Sequence, residues 1–506
     1  MAKRNNSSQF IISVFFSVVA VVLNYVISLA LTPFITENIG IEAYGFVSLA
    51  KTFANYASII TVALNSFSSR FISVEYHKGN FKKANKYFNS VFLADIGLGV
   101  IIFLVSSVII LYLQNILSIP GELIGDVKLL FLLDMINFLI LSCSTVLMSA
   151  TVIKNRLELA SIVKSIAYVS EAVFLIIAFH LLTPKVYLVG CGLIVSSAVI
   201  FVMNGIISRR YTPELRITRG TFSWEAVKDI VKNGIWNSIN SLGNTLNTGL
   251  DLMITNMMLS PLRAGQLAIV KTISTIFTTM FQLVAQPFQP LQLKYYANED
   301  KEKLVESFKF SIKVNGMISN IAFAGFSVFG SAYYKLWTPS QDISLLQIVS
   351  IVTVLGCIIE GAVYPLYYIY TLTLKNKVPC VITVISGLLN VTGMYVLIKF
   401  FDLGIYAVVG TTAVLSWLVN FLFNPMYSAH CLKQPLYVFY PTLIRHILSC
   451  ATITAAFYGV SKIYFPTSWL TLILVAVCGL IVGVAVHTVI MFSKVERKLL
   501  IKKFVR

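Results

Sequence analysis

The sequence predicts an all-α polytopic membrane protein of about 14 transmembrane helices, laid out as two pseudo-symmetric six-helix lobes plus two C-terminal helices. Three observations carry this. The 506 residues are 57% hydrophobic and only 12% charged, with a mean hydropathy of +0.82, far too apolar for water-soluble domains. Windows of about 20 apolar residues, enough for a helix to cross about 30 Å of hydrocarbon, recur along the whole chain. The alternation of barrel strands is missing. Third, an offset of 220 residues lays Gly45-x5-Lys51-Thr52 on Gly265-x5-Lys271-Thr272, and an even number of spans lies between them, as expected of parallel repeats.

Taken in order, spans are expected near 10–32, 44–67, 88–113, 129–153, 160–182 and 186–207, then 232–259, 265–290, 310–330, 343–373, 378–399 and 404–426, and last 442–461 and 468–492. The first run follows Lys3 and Arg4 but is too long for a signal-peptide core, so it reads as a retained span. With the amino terminus inside, the inner gaps and both termini collect about 31 of the 39 Lys and Arg, which puts both termini in the cytoplasm. The same bias accounts for the net charge of +18 without a nucleic-acid partner. The domains expected are 1–210, a first lobe; 211–430, a linker and second lobe; and 431–506, two further spans and a basic tail. Ser208–Val231, with Arg209, Arg210, Arg216, Arg219 and Lys228, reads as the cytoplasmic linker. In the tail, Lys494, Arg497, Lys498, Lys502, Lys503 and Arg506 alternate with apolar residues, as in a helix lying on the inner membrane surface.

Lys51 and Lys271 are the only lysines or arginines that this topology does not place outside or at the edge of a span. A lysine near the bilayer centre costs about 2.5 to 3.5 kcal/mol, so each faces a cavity or snorkels to the headgroups. Helical spacing favours the cavity. Asn233, Asn237, Asn240, Asn244, Asn247 and Asp251 follow at intervals of four and three residues, which lines them along one face. Span two repeats this with Lys51, Asn55, Ser58, Asn65 and Ser69, and span eight with Lys271, Thr275, Thr278, Gln282 and Gln286. Amides of this kind line water or join helices. Asp251, Glu360 and Glu171, with Asp95 and Asp134, are candidates to hold a coupling proton or sodium ion, or else form interhelical hydrogen bonds. Arg70, at the inner end of span two, suits bidentate phosphate recognition. Pro287 and Pro290 mark a hinge in span eight.

Catalytic chemistry is not legible. GxSxG, Walker and HExxH patterns are missing, the five histidines are scattered, the outer loops are short, and the seven cysteines form no CxxC pair. No enzyme activity, metal or cofactor is expected.

The stretch Leu31-Thr-Pro-Phe-Ile through Gly40-Ile-Glu-Ala-Tyr-Gly-Phe-Val-Ser-Leu-Ala, then Ala63-Leu-Asn-Ser-Phe-Ser-Ser-Arg-Phe-Ile and Glu75-Tyr-His-Lys-Gly-Asn, resembles the amino-terminal region of polysaccharide repeat-unit flippases. Their superfamily also holds multidrug extruders and lipid II flippases. The close likeness covers roughly the first 90 residues; beyond them it rests on span count and two-lobe plan. The resemblance implies a carrier in the bacterial plasma membrane that moves undecaprenyl-diphosphate-linked oligosaccharide outward by alternating access, driven by H+, Na+ or the membrane potential. A polysaccharide polymerase is the implied partner. For that cargo, Lys51, Lys271 and Arg70 are expected to meet the diphosphate, and Asn55, Asn237, Asn240, Asn244, Asn247 and Gln282 to line the path. Two other readings stay open: an ion-coupled drug extruder of the same superfamily, and a membrane polysaccharide polymerase or ligase.

Overall fold

Every regular element in the computed structural model, which describes residues 6–218, 221–494 and 496–497, is a helix. The first half holds α1 (Asn6–Ile39), α2 (Ile41–His77), α3 (Phe81–Leu111), α4 (Leu113–Ile116), α5 (Ile124–Leu147), α6 (Ser149–Ile153), α7 (Leu157–Leu181), α8 (Tyr187–Tyr211), α9 (Trp224–Asn244) and α10 (Asp251–Met258). Then come α11 (Pro261–Ala285), α12 (Gln289–Ala297), α13 (Lys301–Trp337), α14 (Ile343–Val363), α15 (Tyr367–Leu372), α16 (Lys377–Phe401), α17 (Ile405–Trp417), α18 (Asn424–Cys431), α19 (Tyr440–Ile463) and α20 (Trp469–Met491). Several run well past the expected spans, α2 and α13 reaching 37 residues each. Hydropathy marks only the part of a helix that needs hydrocarbon, so polar continuations escape it.

Thirteen helices among the described residues are long and apolar enough to cross a membrane. The fourteenth expected span, 232–259, is helical but falls short in hydropathy, because its asparagines dilute it. Pro287 ends α11 in a 3-10 turn, Gln286–Phe288, where the hinge is expected. The basic tail beyond Arg497 lies outside the described residues.

The chain divides into two compact units, Met1–Gly265 with Thr383–Gly387, and Gln266–Ile382 with Leu388–Arg506. The expected boundary falls earlier, at 210/211, whereas α9 and α10 pack in the first unit. There α2 is central and packs on α1, α3, α5 and α9. Ser208–Val231 is not a free linker either. Buried Asn89 of α3 donates to the Arg216 carbonyl (2.8 Å) and accepts from Thr218 N (2.9 Å), and Ser90 Oγ accepts from Ser223 N (2.9 Å). Satisfying backbone groups through buried side chains straps this segment to α3. Arg219 lies outside the described residues.

The duplication is visible hydrogen bond by hydrogen bond. After α2, Gly79 N donates to Tyr76 O and Asn80 N to Glu75 O; after α12, at the 220-residue offset, Glu299 N donates to Tyr296 O and Asp300 N to Tyr295 O. The turning residues are both left-handed, with φ 76° and 56°, the conformation that ends many helices. Asn80 and Asp300 then cap α3 and α13, each side chain accepting from the backbone N of a lysine, Lys83 and Lys303, at 3.2 Å. A second left-handed pair, Asn155 and Leu374, matches at an offset of 219. Phe88 and Phe308 are equivalent, and each is fully buried in the core of its own unit.

Candidate functional site

Along α2, Lys51, Asn55, Ser58, Val62 and Asn65 recur at helical spacing and share one face. On α5, Asp134, Asn137, Phe138, Leu141, Ser142 and Thr145 do the same. With Ala54, Thr61 and Leu193 these two faces line a cavity of about 530 Å3 inside the first unit, within the size range of small-ligand sites. Lys51 belongs to the cavity wall and its side chain is exposed.

Two carboxylates lie buried at this wall. Asn137 Nδ2 donates to Asp134 Oδ1 at 3.0 Å, and Asn65 Nδ2 donates to Asp95 Oδ1 at 3.0 Å. The second oxygen of each carboxylate, and Asn65 Oδ1, accept no hydrogen bond from the described residues. An orphaned buried acceptor costs about 1 to 3 kcal/mol, which a ligand or water donor at this wall would recover. The Asp134–Asn137 pair was legible as an i, i+3 polar couple followed by Ser142 and Thr145. Nothing in the sequence says that this stripe turns toward α2.

The asparagine stripe is not one face. A π-helical turn, Thr245–Gly249, separates α9 from α10 and shifts the register. Asn233, Asn237, Asn240 and Asn244 stay exposed, while Asp251 is buried. Asn247 spends its amide inside the first unit, donating to Gly243 O (2.8 Å) and Thr383 O (2.7 Å) and accepting from Ser386 Oγ (2.9 Å). The opposite face of α9 explains why the asparagines point away: Gly234 packs against the Ala63 carbonyl, and Ser238 Oγ donates to Ile59 O at 2.7 Å. Small residues let the two backbones close up.

The remaining candidates are not among the residues lining this cavity. Glu171 is half-buried on α7, beside Gly192. Arg70 is exposed, with its guanidinium 6.0 Å from the Phe67 ring. In the second unit, Lys271 is half-buried on α11, where its carbonyl accepts from Thr275 Oγ1 at 2.8 Å, and Gln282 is exposed. Glu360 is half-buried on α14. Two of the scattered histidines meet there: the His446 and His487 rings are 6.5 Å apart and buried. His487 Nε2 donates to the Lys313 carbonyl at 2.9 Å and His446 Nε2 to that of Ile358 at 3.1 Å. Histidine spacing misses this because α19 and α20 fold back on each other.

A 25% identical relative, described as the uncharacterized membrane protein EpsK of Bacillus subtilis (strain 168), aligns over 98% of both chains. Among solved structures, a lipid II flippase MurJ in an inward closed conformation superimposes with a TM-score of 0.68 at 14% identity, over 94% of this chain and 99% of that one. An inward-facing multidrug resistance MATE family transporter of the MOP superfamily gives 0.66 at 16% identity, over 83% of this chain and 99% of that one. These structures establish a shared transporter fold. Residues 11–286 match the family model described as polysaccharide biosynthesis protein, and the chain belongs to that family of multi-pass membrane proteins.

Proposed function

We propose that this protein is a flippase, carrying undecaprenyl-diphosphate-linked oligosaccharide repeat units from the cytoplasmic to the outer leaflet of the bacterial plasma membrane by alternating access. The observation that carries the reading is the cavity of the first unit. Membrane-spanning helices bring a lysine, amides and hydroxyls onto one wall. A diphosphate calls for the cation and a glycan for the amides and hydroxyls, while a prenyl tail can stay in lipid. Membership of a polysaccharide biosynthesis family supports that cargo, and the basic loops and termini read as cytoplasmic.

Moving an anion outward runs with an inside-negative potential, which contributes about 2.3 kcal/mol per charge per 100 mV. Asp251, Glu360 and Glu171, and the buried Asp95 and Asp134, are the groups to hold H+ or Na+ if ion coupling is added. Lys271, Gln282 and Arg70, and the exposed Asn237, Asn240 and Asn244, extend the polar path in this reading. Asn247, with its amide engaged, serves there as a brace. The glycan then passes to a polymerase.

The test is translocation of a fluorescent lipid-linked glycan in reconstituted vesicles. The wild type is expected to transfer it between leaflets without changing its covalent length; no transfer overturns the reading. A drug extruder is the second reading, favoured by Asp134 in the cavity, since a carboxylate suits a cationic substrate. Export of cationic dyes with no glycan transfer would establish it.

A further inference from the structure

The duplication supplies an internal control for the cavity. Equivalent positions in the two units have the same place in the helical frame, so a residue needed only to build that frame would be expected in both. Lys51 recurs as Lys271, but residues that line the rest of the cavity are exchanged. At the 220-residue offset, Thr61 and Asn65 of α2 become Phe281 and Ala285 of α11, and Asp95 of α3 becomes Asn315 of α13. At the 219-residue offset of the Asn155–Leu374 turn, Asp134, Asn137, Ser142 and Thr145 become Thr353, Gly356, Gly361 and Tyr364.

These exchanges close the space in the second unit. Phe281 is fully buried, and its ring lies where a Cβ on Gly361 would come within 2.9 Å. Asn315 Nδ2 donates to the carbonyls of Phe281 (3.1 Å) and Gly361 (3.2 Å). A packed Phe–Gly contact thus stands where the first unit has Thr61, Ser142 and a cavity. Either solution satisfies the fold, so the open one serves a ligand.

The cavity also has two chemically different ends. Lys51 and Asn65 are 14 residues apart on α2, or about 21 Å along the axis. The lysine end suits an anion. Asp134 stands toward the lysine, since Phe131, one turn before it, packs on Phe53, two residues after Lys51, with ring centroids 5.2 Å apart. The far end carries Asn65, whose Oδ1, like Oδ2 of the Asp95 bonded to it, accepts no hydrogen bond from the described residues. A phosphate brings chiefly acceptors, and they would meet acceptors there. A sugar hydroxyl brings a donor as well as an acceptor, and Phe138 offers an apolar face for a sugar ring.

From this asymmetry we propose that the cavity of the first unit is a glycan subsite. It takes a hydroxyl-rich sugar of the cargo between α2 and α5, with Asn55, Asn65, Asn137, Ser142 and Thr145 setting sugar specificity, while the phosphate group is held at Lys51. The proposal rests on the flippase reading and adds to it the place and chemistry of sugar recognition.

The test transplants the closed packing of the second unit into the first, as the double variant Thr61→Phe/Ser142→Gly. Asn55→Leu, on an exposed position of the same wall, serves as a milder variant should the double variant fail to fold. The probe is the glycan released by mild acid from the cells' own lipid-linked pool, and binding is measured by calorimetry on purified protein. Inorganic diphosphate is titrated in parallel. Both variants are expected to weaken glycan binding by about tenfold or more, the scale of one lost buried hydrogen bond, and to bind diphosphate within twofold of wild type, as a cavity that separates sugar from phosphate requires. Unchanged glycan binding in a folded variant overturns the subsite, as does equal weakening of glycan and diphosphate. So does a wild type that fails to bind the glycan yet translocates the lipid-linked form in vesicles. A wild type that translocates nothing overturns the flippase reading instead.

Discussion

Gly45 and Gly265, equivalent positions of the duplicated sequence, pack backbone to backbone: a Cβ on Gly45 would stand 2.9 Å from Gly265 N and 3.0 Å from its Cα. Each begins a helix with the same x5-Lys-Thr continuation, so the contact joins the starts of α2 and α11 at matched points. Neither backbone can yield without moving a helix.

Gly45→Ala is therefore expected to destabilise the protein by about 1 to 3 kcal/mol, the usual cost of overpacking. Gly97 on α3 is the control, because a Cβ there meets nothing within 4 Å. Gly97→Ala should stabilise by about 0.5 to 1 kcal/mol through helix propensity alone. Thermal unfolding of the two variants in detergent checks the opposite signs.

Lys51→Ala should insert and fold normally but lower translocation of lipid-linked glycan by about tenfold or more, as expected for loss of a charged hydrogen-bonding group facing an anion. Lys51→Arg should retain more activity than Lys51→Ala. The vesicle assay, normalised to inserted protein, measures both. Wild-type rates in Lys51→Ala would remove this lysine from the transport path.

Asn89→Ala should loosen the strap between α8 and α9. Asn89 is fully buried and bonds both the Arg216 carbonyl and Thr218 N, and orphaning such groups costs about 1 to 3 kcal/mol. Limited trypsin digestion is expected to cut faster after Arg216, and amide exchange to rise over 216–218 while α5 and α8 keep their protection.

The two equivalent helix caps should respond differently to acid. Asp300 is held below its ordinary value of 3.8, first by the Lys303 ammonium, which donates to Oδ2 at 2.8 Å, and then by Lys303 N–H. A carboxylate lowered in the fold lends stability above its unfolded value and loses it as pH falls through the folded one. The first turn of α13 should thus fray as pH drops below about 4, while Asn80, which does not titrate, keeps α3 capped. Protection factors of the Lys303 and Lys83 amides between pH 6 and pH 3 measure the contrast; equal loss at both would refute it.

By itself the sequence determined the helical spans, the repeat register and the polar face of α2, because hydropathy and helical periodicity are local properties that survive without knowledge of neighbours. Lys51 was legible as an anomaly for that reason. What the α2 face turns toward was decided only by tertiary structure: Asp134, Asn137, Ser142 and Thr145 lie on another helix, and their spacing carries no information about its partner. The π-helical turn was invisible for a related reason. Six residues at regular spacing imply one face only if the helix keeps its pitch, and Thr245–Gly249 changes it, leaving four asparagines exposed and turning Asn247 and Asp251 into the protein. Likewise the duplication was readable as a register, but the packing of Phe281 on Gly361 in one copy, where the other has Thr61 and Ser142 lining a cavity, was not. That contact between distant residues is a matter of packing volume, which exists only once the helices are assembled.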